Sequence, residues 1–329
     1  MKTRLKNTNL EKSYAIFVRS SYGDLLMVDP LVKYIKQLNK NNTVDLFIEK
    51  KNYQLVEFME NINNYYSLPS KGNKYLFFTF FGLINRKNKY DFSIAAKTGT
   101  GSANGFFPFM LGAKKQISYV SKKKTWTDRL VNCPVYYDEG IYEKQHYALS
   151  VLQLLDSNIK NIPESLYPKL KLEVNSKDSF IPKVLISLSN NRKSCILEND
   201  KISSIINQLS KEFEFEVIIS VLQTDHQLAM NLKKQLNLKS TIYQTPILRD
   251  YLKLINSVDI CFFGEGGSMH MAAALGIPQV VLFGETSLIT WAPLSKDAAV
   301  LYDKSNVNNI PKQQILNALK VKLNMIRIT

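Results

Sequence analysis

Short apolar runs alternate with stretches of helical period along this whole chain, and they do so in two successive blocks. In the first block, residues 14–18, 43–48, 91–96 and 116–120 read as strands, and 25–38 reads as a helix. In the second, 184–189, 215–220, 258–263 and 279–283 read as strands, and 197–209, 227–236, 247–255, 268–275 and 312–325 as helices. Continuous apolar strands separated by helices predict parallel sheets covered on both faces. A chain of 329 residues suits two such domains. The segment 158–182 lacks a period, carries Pro163, Pro168 and Pro182, and reads as the linker. The expected fold class is therefore α/β, with two doubly wound, Rossmann-like domains and a cleft between their strand ends. Their expected limits are 1–165 and 166–329, with the last helix able to pack back on the first domain.

Charge narrows the partners. There are 43 Lys and Arg against 28 Asp and Glu, a formal net charge of +15. Such a balance attracts nucleotides, phosphorylated glycolipids or an anionic membrane surface. The basic residues are spread along the chain, with only short clusters such as Lys122, Lys123 and Lys124, and a plain lysine-rich composition explains them equally well. No zinc-finger spacing, RRM-type aromatic motif or basic zipper is present, so nucleic acid is not an expected partner. Cys133, Cys195 and Cys261 are few and far apart, which argues against a disulfide framework and fits a reducing compartment. The first apolar run is too short for a signal segment, and none approaches the ~20 residues of a membrane span. A cytoplasmic protein, soluble or peripheral, is expected.

Three turns at strand ends carry the candidate chemistry. After the strand 258–263 come Glu265, Gly266, Gly267 and Ser268, then a helix containing His270. Free N–H groups at that helix start favour a phosphate or diphosphate. Glu265 can accept bonds from ribose hydroxyls or orient the loop, and His270 can reach the same ligand. The alternative is a plain Rossmann turn with His270 a buried, satisfied histidine. After the first strand come Ser20, Ser21, Gly23 and Asp24. Asp24 reads either as a helix cap or as a general base for an acceptor hydroxyl. After the strand 184–189 lie Ser189, Arg192 and Lys193, either a solvated basic loop or the cations that steady a departing nucleoside diphosphate. The loop that holds Lys97 and Thr98 echoes a glycine-rich fingerprint, but Asn104 stands where the third glycine would be. It is assigned to acceptor binding instead. No D-x-D triplet, Walker A loop or nucleophile elbow occurs, and three scattered histidines do not suggest a metal site.

At these residues the chain resembles glycosyltransferase family 9, the ADP-heptose:lipopolysaccharide heptosyltransferases. Arg19, Ser20, Ser21, Gly23 and Asp24 resemble the family's R-x-S-S-x-G-D turn at a shifted Arg spacing. Glu265, Gly266, Gly267, His270, Ala273, Ala274, Leu275, Gly276 and Pro278 resemble its D-[TS]-G-x-x-H-x-x-A-A-L-G-x-P segment, and Phe283, Gly284, Glu285 and Thr286 its F-G-P-T. Residues 111–119 look like its G-A-[KR]-x-x-I-G-[YF] stretch. The resemblance implies a GT-B fold and an inverting, metal-independent transfer with no cofactor. It makes Asp24 the base, Arg192 and Lys193 diphosphate-binding, and Ser189, Glu265, Gly266, Gly267, Ser268 and His270 donor-binding. Ser20, Ser21, Gly23, Lys97 and Thr98 fall to the acceptor side. The implied donor is ADP-heptose and the implied acceptor an anionic glycolipid at the inner face of the inner membrane. Three departures stand out: Glu265 for the usual Asp, Gly266 for Thr or Ser, and Glu285 for Pro. They leave two rivals, a GT-B transferase with another nucleotide sugar and a non-catalytic nucleotide- or polyanion-binding protein.

Overall fold

The computed structural model describes residues 10–18, 21–68, 89–122, 126–173, 181–244 and 247–328. Arg19, Ser20, Lys123, Lys124 and part of the expected linker, 174–180, lie outside them. The chain divides into two compact units, Met1–Pro168 and Lys169–Thr329.

Each unit is built on one parallel sheet of six strands. In the first, β1 (Ser13–Val18), β2 (Thr43–Glu49), β3 (Asn64–Leu68), β4 (Phe92–Ala95), β5 (Lys115–Val120) and β6 (Cys133–Tyr136) are ordered β3-β2-β1-β4-β5-β6. In the second, β7 (Lys183–Ser187), β8 (Glu216–Val221), β9 (Ser240–Gln244), β10 (Ile260–Gly264), β11 (Gln279–Phe283) and β12 (Ala298–Tyr302) are ordered β12-β11-β10-β7-β8-β9. The two orders are the same doubly wound topology, in which the chain first builds outward from one strand and then crosses to its other side. The crossing falls between β1 and β4, where Tyr14 pairs with Phe92, and between β7 and β10, where Val184 pairs with Ile260. At these two points neighbouring loops diverge, which opens a crevice at the strands' carboxyl ends.

The central strands form because both of their faces are covered. Tyr14 to Val18 are all buried, as are Val280 to Phe283. Phe17 stacks on Phe47 at 4.9 Å and on Phe107 at 5.5 Å, which locks β1 to β2 and to the helix Ser102–Met110. In the second unit Ile186, Val217, Phe262 and Val280 pack with Ile205, Leu209, Leu316 and Leu323 in one core. Ile315, Leu316, Leu319 and Leu323 belong to the last helix, Lys312–Ile328. The last helix therefore lends an apolar face to the core of the second unit.

Several expectations need correction. The stretch 25–38 is two helices, Tyr22–Leu26 and Asp29–Leu38. Pro30 at the second position of the latter has no N–H to continue the first, and it restricts the residue before it. Four strands were not foreseen: β3, β6, β9 and β12. The segment 158–182 is partly built: Leu166 and Leu170 are buried, Lys33 Nζ donates to Tyr167 O, and Leu170 N donates to Ala274 O. The boundary between the units falls at Pro168, three residues beyond the expected limit at residue 165.

Candidate active site

The turn after β1 places Asp24 at the carboxyl end of the first sheet. Ser21 is the N-cap of the helix Tyr22–Leu26, and Asp24 is its third residue rather than its cap. The Asp24 Oδ2 accepts from the Ser21 backbone N–H at 3.1 Å and from Ser21 Oγ at 2.6 Å. This is a capping box closed by one carboxylate oxygen. Gly23 is buried under it.

Across the β1–β4 junction lies Tyr147, the first residue of the helix Tyr147–Gln153. Its hydroxyl donates to Ala96 O at 3.3 Å, just beyond β4. Burial first, and then the Asp24 carboxylate, push its phenol well above the usual range, while the Thr98 backbone works the other way. The phenol therefore stays neutral. Lys97 is exposed. Of the residues expected on the acceptor side, Ser21 and Gly23 thus follow β1 with Asp24, and Lys97 and Thr98 follow the neighbouring strand β4.

In the second unit the turn after β10 makes the corresponding site. Gly264 ends the strand against the 3-10 turn Lys193–Cys195, so closely that a Cβ there would stand 1.9 Å from Cys195 O. Gly266 has φ 158° and ψ −169°, a corner that favours glycine, and the helix Gly267–Ala274 starts directly after it with no side-chain cap. Its first N–H groups are left for a ligand or water.

Glu265 does not point outwards. It is 1% exposed, and both of its oxygens are engaged. Oε1 accepts from Arg192 Nη1 at 3.2 Å and from Cys195 Sγ at 3.2 Å; Oε2 accepts from Thr286 Oγ1. Its backbone carbonyl accepts from Asn190 Nδ2 at 2.7 Å. One carboxylate therefore ties together the loops after β7, β10 and β11. Burial raises the Glu265 pKa, against the pull of Cys195 and Arg192, and Glu285 raises it further. Burial and the Glu265 carboxylate in turn push the Cys195 thiol up to about 11, so at neutral pH it remains a donor. Of the two roles foreseen for Glu265, orienting the loop is the one its bonds perform. A ribose hydroxyl would have to displace an existing partner.

The other residues divide. Ser189 Oγ donates to Asp225 Oδ2 at 2.6 Å and accepts from Leu222 N at 2.8 Å, which anchors the loop to the end of β8. Arg192 and Lys193 are exposed at the lip. Ser268 Oγ accepts from Tyr251 OH at 2.9 Å, leaving its own hydrogen for another acceptor. His270 is 3% exposed, with its ring edge-on to Trp291 at 6.5 Å.

The family model for glycosyltransferase family 9 (heptosyltransferase) matches residues 85–322. This chain belongs to glycosyltransferase family 9. Solved structures agree on the fold. A family 9 glycosyltransferase from Veillonella parvula DSM 2008 superposes with a TM-score of 0.79 at 14% identity, over 97% of this chain and 100% of that one. The E. coli ADP-heptose LPS heptosyltransferase II superposes with a TM-score of 0.76 at 17% identity, over 96% and 99%. E. coli heptosyltransferase WaaC, solved with ADP, superposes at 0.72 and 12% identity, over 94% and 99%. No curated protein matches the chain by sequence. The family 9 chain is thus a glycosyltransferase of the GT-B kind, with two Rossmann-like domains. Among the described residues, no helix is long and apolar enough to cross a membrane.

Sequence reasoning missed Tyr147 in the first unit and, in the second, Tyr251, Cys195 and Thr286. The two tyrosines belong to ordinary helices and carry no local signal. Cys195 is one of three cysteines few and far apart in the sequence, although it lies only three residues after Arg192. Thr286 closes the segment from Phe283 with no role that the sequence assigns to it.

Proposed function

We propose that this chain transfers a heptose from ADP-heptose, with inversion and without a metal or cofactor, to an anionic sugar of the lipopolysaccharide or lipooligosaccharide core. The observation that carries this reading is the content of the two switch points. One unit holds a partly exposed carboxylate, Asp24, at the end of β1, and the other holds an uncapped helix start after β10 and a basic lip after β7. Asp24 takes the proton of the acceptor hydroxyl as its oxygen bonds to the anomeric carbon. The bond from that carbon to the diphosphate breaks on the opposite face. Arg192, Lys193 and the N–H groups of Gly267 and Ser268 stabilise the charge that accumulates on the departing ADP. Ser21, Gly23, Lys97 and Thr98 serve the acceptor. The net charge of +15 draws the chain to a phosphorylated glycolipid at a membrane surface. Heptosyltransferase II and the ADP-bound WaaC, similar in fold, support the choice of donor.

The test is selective thermal stabilisation. A ligand that binds only the folded chain stabilises it by mass action, by ~2.7 kcal/mol at a hundred times its Kd, and so raises its melting temperature. ADP is expected to raise it where UDP, GDP, NAD and heparin do not. Stabilisation by UDP or GDP alone replaces the donor; stabilisation by heparin alone points to a non-enzymatic polyanion binder.

A further inference from the structure

The Arg192 guanidinium stands between two carboxylates of unlike character. On its inner side is Glu265, 3.2 Å from Nη1, buried, and fixed by Cys195 and Thr286 as well. On its outer side is Glu285, whose Oε1 lies 3.9 Å from Nε. The side chains of Arg192 and Glu285 are 46% and 55% exposed. One guanidinium therefore faces two carboxylates. An anion that takes its outer, Nε edge has to replace the Glu285 carboxylate.

The two carboxylates differ in how readily they leave. Withdrawing Glu265 would strand a buried charge and leave the Cys195 and Thr286 donors without their acceptor, which is costly. Glu285 forms a long, solvent-exposed pair with little to lose. A diphosphate brings more negative charge than a carboxylate and several acceptor oxygens for a planar guanidinium. We propose that Glu285 is a specificity-determining residue for the donor: its carboxylate neutralises the outer edge of Arg192 in the free enzyme and is replaced there by the donor's diphosphate, while Glu265 holds the guanidinium in place throughout. This rests on the reading of Arg192 as a diphosphate-binding residue. The exchange favours ligands whose charge outweighs a carboxylate, so it discriminates a nucleoside diphosphate from the uncharged nucleoside.

Calorimetric titration of the whole chain with ADP and with adenosine, at fixed ionic strength, tests it. Glu285→Gln keeps the shape and removes the charge at an exposed position, and a melting curve checks that it folds. It is expected to tighten ADP by roughly two- to fivefold and to leave adenosine unchanged, because adenosine brings no anion to replace the carboxylate. In an Arg192→Gln background the same substitution is expected to change nothing, since there is no guanidinium to exchange. Unchanged affinity in Glu285→Gln, or the same tightening without Arg192, overturns the proposal while leaving the site assignment intact. A wild-type chain that binds no nucleoside diphosphate overturns both.

Discussion

Asp24→Asn is expected to lower the transfer rate by about 10²- to 10⁴-fold, the usual contribution of a positioned general base, with little change in melting temperature or ADP affinity. Asn keeps an oxygen at the Oδ2 position, so the bonds from Ser21 N and Ser21 Oγ, now 3.1 and 2.6 Å, have an acceptor and the capping box survives. What the substitution removes is the charge and the ability to take a proton. The loss should therefore fall on kcat. Asp24→Ala is the companion variant: it removes the cap as well, and should add roughly 1 kcal/mol of instability to the same kinetic defect. Transfer by Asp24→Asn at close to the wild-type rate would falsify the assignment of the base and leave Asp24 as a capping residue.

Gly264→Ala is expected to be the most destabilising small substitution at the donor side. Its new methyl group would stand 1.9 Å from Cys195 O and 3.0 Å from Cys195 C, and both are backbone atoms. One of the two chains must move, since neither can rotate away. Forced overpacking of this kind costs typically 1–3 kcal/mol and sometimes more, so ~3 kcal/mol is expected here. Moving the Lys193–Cys195 turn also pulls Cys195 Sγ and Arg192 away from Glu265, so ADP binding should weaken with stability. Gly101→Ala is the contrast: nothing lies within 4 Å of its Cβ position, and the change should stay within about 1 kcal/mol. Equal melting temperatures for the two variants would show that the close approach at Gly264 is not maintained in solution.

The sequence by itself determined the strands that are buried on both faces. β1, β2, β4, β5, β7, β8, β10 and β11 are apolar runs because helices cover them from both sides, and that pattern is local. It also determined the turns, because a glycine or a small polar residue is needed where a strand bends sharply into a helix. The four unforeseen strands, β3, β6, β9 and β12, are the four outer strands of the two sheets. An edge strand is half solvated, so it carries no continuous apolar signal: β9 reads Ser-Thr-Ile-Tyr-Gln with no buried residue, and β6 tolerates Pro134 because one side needs no ladder partner. Strand order was equally out of reach, since it depends on which neighbours a finished strand can pair with.

At the site the division is sharper. Asp24 and Glu265 were legible as carboxylates at the right turns. Only the tertiary structure decided that one oxygen of Asp24 closes a capping box, and that Glu265 turns inward to Arg192, Cys195 and Thr286 instead of outward to a ligand. Those partners come from loops after β7 and β11, more than 20 residues away on either side. A buried carboxylate must collect donors from wherever the fold brings them, and no local pattern records that search.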